Sequence, residues 1–252
     1  MQLQISITWG VGLALAVARS GAMVASCGFV PRSIPGGGRT ALAIALGILV
    51  SQPIASPDIS TADLAVAAFT NVTVGAVLGW FLGLALAVFQ VAGTAVDLTS
   101  GVSLGSVFDP DAGTTPGAFA HFYNLGAQTL IIAAGGLLVI ANLLWLSTKA
   151  IALDGHLGNL GPLGAAATDR VDSVFRHGVE LALPIIAVLF VAELTFGLLS
   201  RLAPQINMFL IALPVKSLMA ISLLGTASAL FPRFANQSVR DGVDATIRLL
   251  GG

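Results

Sequence analysis

Charge is what this 252-residue chain lacks: 11 Lys and Arg against 12 Asp and Glu make up only 9% of it. Soluble domains carry about a quarter charged residues, so there is too little polar material here for an ordinary water-facing surface. A net charge of −1 excludes the basic footprint of nucleic-acid binding. Cys27 is the single cysteine, which excludes an internal disulfide and any cysteine-built zinc or iron–sulfur centre within the chain. Disorder is excluded by a hydrophobic content of 56% and a mean hydropathy of +0.94. The alternation of an outer-membrane barrel is missing too, because apolar residues come in continuous blocks. The chain reads as one polytopic membrane unit.

A membrane-spanning helix needs about 20 mostly apolar residues. Blocks of that kind run from about Thr8 to Val30, Thr40 to Ile54, Leu64 to Val96, Ala112 to Thr148, Val179 to Leu199 and Ile206 to Phe231. They predict an all-α polytopic membrane protein of about six long, partly kinked helices arranged in hairpins. Pro31, Pro35, Pro53, Pro57, Pro110, Pro116, Pro162, Pro204 and Pro232 fall between blocks or at their edges. Pro184 and Pro214 lie inside blocks, and each predicts a kink or local break. The third block has no acid or base over 33 residues. As a helix it reaches about 50 Å against a hydrocarbon core of about 30 Å. It and the fourth block must therefore tilt, break or run beyond the bilayer. The N-terminus, Met1-Gln-Leu-Gln4, has no positive region, so the first block reads as a retained helix rather than a signal peptide. On six crossings with the N-terminus inside, Lys149, Arg170, Arg176, Arg233, Arg240 and Arg248 are cytoplasmic, against Arg32, Arg39 and Arg201 opposite. That bias puts both termini in the cytoplasm.

Catalytic patterns are thin. Gly101-Val-Ser103-Leu-Gly105 matches the nucleophile pattern of hydrolases but lacks the strand-to-helix context that exposes such a serine. His177 and Glu180 share one helical face without a second metal-binding histidine nearby, and His121 and His156 sit on other segments. No glycine-rich loop carries a phosphate-binding lysine. We expect no enzyme activity, metal or cofactor.

The remaining signals concern packing and buried charge. Gly75, Gly79 and Gly83 share one helical face and let another backbone approach closely, within this chain or in a partner. A charge at the bilayer centre costs on the order of 2.5–3.5 kcal/mol, so each needs a partner or water. If the last two blocks form a hairpin turning at Pro204 and Gln205, Glu193 lies 11 residues before Pro204 and Lys216 lies 11 after Gln205. That equal depth suits an intramembrane pair; a polar subunit interface or aqueous lumen is the alternative. Arg19 sits mid-block with no local acid, facing an interface or pore or snorkelling outwards. The segment from Thr99 to Gly117 is rich in small residues and turn formers, and Asp109-Pro110 and Pro116-Gly117 disfavour a regular helix. It is either a plain loop or a gate or plug, since irregular backbone at membrane depth must be covered by protein or line a cavity.

The last third carries Leu181-Ala-Leu-Pro184, then Gly197-Leu-Leu-Ser-Arg201-Leu-Ala-Pro204-Gln205-Ile-Asn207-Met-Phe209, then Pro214-Val-Lys216. It resembles the C-terminal signature of the FliR/SctT family, polytopic subunits of the type III secretion export gate. The middle adds Phe89-Gln90-Val-Ala-Gly93, Asp97-Leu, Gly101-Val-Ser103 and Phe108-Asp109-Pro110. The N-terminal third adds Arg19-Ser-Gly21, Pro31 and Ile34-Pro35, so the resemblance covers nearly the whole chain. Two places depart from it. Asn71 or its neighbours replace an acid often seen near the start of the third helical block, and Gly135-Gly136 stands where Gly-His is frequent.

The resemblance implies a single FliR-like membrane domain over residues 1–252. Residues 1–148 would form a FliP-like helical part with a plug loop near 101–117. Residues 149–178 would be a connecting loop, and 179–252 a FliQ-like hairpin and tail. It implies a structural, channel-forming subunit that catalyses nothing and passes unfolded flagellar subunits across the bacterial inner membrane at the flagellar basal body. Its partners would be FliP-like and FliQ-like subunits, with FlhB-like and FlhA-like export proteins beyond them, and it would not be a homo-oligomer on its own. The plug residues would be Gly101, Ser103, Phe108, Asp109 and Pro110. Phe108-Asp-Pro and the approach from Asp97 to Gly101 lean flagellar; an injectisome subunit is the alternative, and a secondary transporter with broken helices is a reading from another class.

Overall fold

The computed structural model describes residues 2–30, 34–53, 60–103, 117–154 and 163–249. Eight α-helices account for nearly all of them: α1 (Gln2–Ser26), α2 (Gly36–Val50), α3 (Thr61–Ser100), α4 (Ala118–Ala133), α5 (Gly136–Ala150), α6 (Leu163–Leu202), α7 (Met208–Ala227) and α8 (Phe231–Leu249). A 3₁₀ turn, Ser228–Leu230, joins the last two, and no strand occurs among the described residues. The chain is a polytopic helical membrane protein. Among the described residues, four stretches are long and apolar enough to cross a bilayer: Thr8–Ser26, Thr61–Ser100, Ala167–Leu202 and Met208–Arg248. The α4–α5 pair makes a fifth if it counts as one broken span, whereas α2 is too short. The topology drawn from six conventional crossings therefore loses its premise.

Six apolar blocks become seven helices because the fourth block breaks. Gly135 adopts φ 88°, the left-handed region that glycine enters without a Cβ penalty. Its N–H closes back on the Ile132 carbonyl at 3.1 Å, ending α4 so that α5 can start at Gly136. The third block does not break: α3 runs 40 residues, about 60 Å at helical rise. The eighth helix, α8, is the tail. Neither Pro184 nor Pro214 interrupts its helix, so of the expected kink or local break the break does not occur. A proline lacks the N–H that would bond the carbonyl four residues earlier, and membrane helices tolerate that local loss. The expected connecting loop at 149–178 is also corrected, since α6 is helical from Leu163.

The chain divides into two compact units. The first comprises Met1–Ala85, Ile131–Val171 and Ser238–Gly252. Its α1 and α2 run antiparallel, with Val17 against Gly47 and Ser20 Oγ donating to the Ala43 carbonyl at 2.6 Å. Buried Met23, Phe81, Leu82, Ile140 and Leu144 fill its interior. The second comprises Leu86–Leu130 and Asp172–Gln237. There Phe231 packs its ring against Phe89 and Tyr123 at centroid distances of 5.4 and 4.7 Å. Gly178 of α6 sits on Val88 and Val91 of α3. These contacts hold the helices that carry the candidate sites.

Candidate functional sites

In the second unit, α6 and α7 form an antiparallel hairpin. Its turn is short because Pro204 presets the backbone at the first central position, and the Ile206 N–H closes on the Ala203 carbonyl at 3.1 Å. Arg201, Pro204, Gln205, Asn207 and Phe209 are all exposed around this tip, and Pro214 is exposed on α7. Eleven residues down each arm, Lys216 Nζ donates to Glu193 Oε2 at 2.6 Å. Burial is uneven: the lysine side chain is 10% exposed and the glutamate 65%. The lysine is thus held inside by the glutamate, whose carboxylate faces outward beside exposed Phe190 and Leu194. An outward carboxylate on an apolar helix marks a surface that needs cover or water.

Also in the second unit, α3 ends where Gly101 takes φ 83°, a left-handed helix stop. The Ser103 N–H and Oγ both reach the Asp97 carbonyl at 3.4 Å. That hydroxyl contact is to a backbone carbonyl. The Asp97 side chain is buried, and its two oxygens accept from α4: Oδ1 from the Phe119 N–H at 3.0 Å and Oδ2 from the Ala120 N–H at 2.8 Å. These are amides of the helix's first turn, which have no partner inside the helix. Of the proposed plug residues, Gly101 and Ser103 are seen; Phe108, Asp109 and Pro110 lie outside the described residues.

In the first unit, the glycine run meets α1. A Cβ on Gly75 would overlap the Arg19 carbonyl, one on Gly79 the Met23 carbonyl, and one on Gly83 would lie 3.1 Å from the Cys27 carbonyl. Matching steps of four residues make α1 and α3 parallel at backbone contact, the geometry small residues permit. Arg19 is wholly buried. Its Nε donates to Asn71 Oδ1 at 2.9 Å, Nη1 to Ser147 Oγ at 3.3 Å, and Nη2 to the Ala152 carbonyl at 3.5 Å. Asn71 in turn donates to the Ala67 and Leu153 carbonyls at 2.7 and 2.9 Å. Arg19 therefore neither snorkels nor lines a pore.

Sequence reasoning missed this network, because its members are 52 to 133 residues apart. The sole signal was a basic residue in mid-block. It missed Arg170 as well, which donates to the Ser238 carbonyl at 2.6 Å and lies 3.6 Å from Asp241. His177 hydrogen-bonds Gln237 at 3.1 Å, while His121 and Glu180 are exposed. Among the described residues no three His, Cys, Asp or Glu side chains gather as a metal site. Helices brought to backbone contact, buried polar staples and an exposed apolar hairpin can organise an assembly.

Comparison with known proteins gives these features a setting. Residues 11–242 match the model of the family described as bacterial export proteins, family 1. The surface presentation of antigens protein SpaR of Shigella sonnei is 31% identical over 168 residues, covering 64% of this chain and 62% of that protein. The match thus spans less than two thirds of SpaR. The flagellar biosynthetic protein FliR of Pectobacterium carotovorum is 29% identical over 213 residues, covering 82% of this chain and 81% of that protein. FliR of Escherichia coli K12 is 27% identical over 81% of this chain and 77% of its own length.

Proposed function

The chain belongs to the bacterial export proteins, family 1, and from that premise we propose that it is a structural, channel-forming subunit of the flagellar type III protein export gate. It passes unfolded flagellar subunits across the inner membrane and catalyses no reaction itself. The observation that carries this reading is the match over residues 11–242, joined by flagellar relatives similar over four fifths of the chain. The exposed apolar hairpin with its outward Glu193 supports it physically, since such a surface suits a piece of a larger membrane assembly.

In this reading FliP-like and FliQ-like subunits cover those faces, and FlhB-like and FlhA-like proteins join them. Residues 1–148 serve as the FliP-like part and 179–252 as the FliQ-like hairpin and tail. The segment near 101–117 acts as the plug, entered through the Gly101 helix stop. An injectisome subunit is the second reading, favoured by the SpaR relative.

Purification of the tagged chain in mild detergent, followed by native mass measurement, tests the proposal. Two other small hydrophobic proteins should copurify; a solitary particle that moves metabolites across liposomes overturns it in favour of a transporter. Whether those two proteins are flagellar or injectisome components decides between the two export readings. Deleting Phe108–Gly113 should leave that complex intact and raise small-solute leakage. Unchanged leakage with normal assembly removes the plug role.

A further inference from the structure

Asp97 does two things at once. Its backbone carbonyl holds Ser103, on the near flank of residues 104–116, and its side chain holds Phe119 and Ala120, on the far flank. The residue is 2% exposed, and each carboxylate oxygen takes one α4 amide. Gly117 closes the arrangement: a Cβ there would overlap the Asp97 carboxylate, so the chain passes directly over it. Ser100 Oγ adds a further bond to the Asp97 carbonyl at 3.2 Å. A carboxylate suits the place because first-turn amides carry partial positive charge, and such charge-assisted bonds are among the strong ones.

We propose that Asp97 is the positioning residue for the 104–116 segment, fixing its two flanks against one another. The proposal rests on the plug reading above and supplies the element that sets where the segment leaves α3 and enters α4. An ordinary helix cap would stabilise α4 alone. A positioning residue couples the two flanks, so losing its side chain loosens Ser103 even though the carbonyl that Ser103 uses remains.

The test uses the full chain purified with its copurifying subunits, as Asp97→Ala, Asp97→Asn, Gly117→Ala and the Phe108–Gly113 deletion. Hydrogen exchange and small-solute leakage are the readouts. In Asp97→Ala the Phe119 and Ala120 amides should exchange about ten- to a hundredfold faster, the range expected for bonds to a charged group. The Ser103 amide should speed up with them, and leakage should approach that of the deletion while copurification is unchanged. Asp97→Asn, keeping one acceptor oxygen, should fall between, and Gly117→Ala should mimic Asp97→Ala by displacing the carboxylate.

An unchanged Ser103 amide reduces Asp97 to a cap and overturns the inference. So does a leaking deletion beside a tight Asp97→Ala, with the plug reading intact. If neither variant leaks but both flanks loosen together, the plug reading fails and the positioning role stands. Should Asp97→Ala lose its partner subunits, Asp97→Asn decides on the same two readouts.

Discussion

Arg19 holds a buried cation among neutral groups: an amide oxygen, a hydroxyl and a backbone carbonyl. Breaking such a set on one side is costly, because the guanidinium stays buried while its acceptor disappears. Asn71→Leu should therefore destabilise the first unit by about 3–5 kcal/mol. The double variant Arg19→Met with Asn71→Leu should recover much of that loss, since replacing both sides with apolar groups removes the desolvation cost as well. Thermal unfolding in detergent checks both, and additive losses would contradict the direct bond. Glu193 and Lys216 make a second test. Lys216→Glu places two carboxylates together and should reduce the assembled complex; adding Glu193→Lys should partly restore it. A double variant no better than the single, judged by copurification yield, would argue against direct pairing. At this scale the sequence revealed which charges were out of place but not all of their partners. Equal depth on a hairpin suggested Lys216 for Glu193, whereas nothing near Arg19 pointed to Asn71 or Ser147.

Among the elements, glycine separates contact from open space. Gly79→Val should push α1 away from α3, because the Met23 carbonyl and Ser26 Oγ occupy that volume, and protease resistance of the first unit should fall sharply. Gly197→Ala meets nothing within 4 Å on α6 and should raise helix stability by about 0.5–1 kcal/mol. Gly135→Ala belongs with the harmful changes: its φ of 88° costs an L-residue about 1–2 kcal/mol. Circular dichroism melting of the three variants ranks them. The glycine spacing announced a close approach but left its partner open between this chain and another; α1 answers it. Pro35 and Pro204 stand at helix edges as expected, while Pro184 and Pro214 do not break the helices that contain them. An edge proline ends a helix that would stop anyway, whereas Pro184 and Pro214 cost one hydrogen bond in helices long and apolar enough to continue.

At the scale of the molecule, apolar side chains that a soluble fold would bury stand outside on α6 and α7, among them Leu183, Phe190, Leu198, Leu210 and Leu218. In detergent without its partners the chain should aggregate or be degraded, and co-expression with the neighbouring export subunits should raise its yield several-fold. Size-exclusion profiles with and without co-expression check this. Composition alone decided that the chain is helical and lives in a membrane: apolar blocks of this length cannot be dissolved in water, and backbone in lipid must satisfy itself. The long third block was legible for the same local reason.

Tertiary structure decided the rest: that α3 runs unbroken while the fourth block turns at Gly135, that Arg19 is shared by α1, α3, α5 and the chain just beyond α5, and that Asp97 caps a helix 22 residues away. Hydropathy and turn chemistry act between neighbours along the chain, so they can be read in order. A buried hydrogen bond joins residues that only the packing of helices brings together.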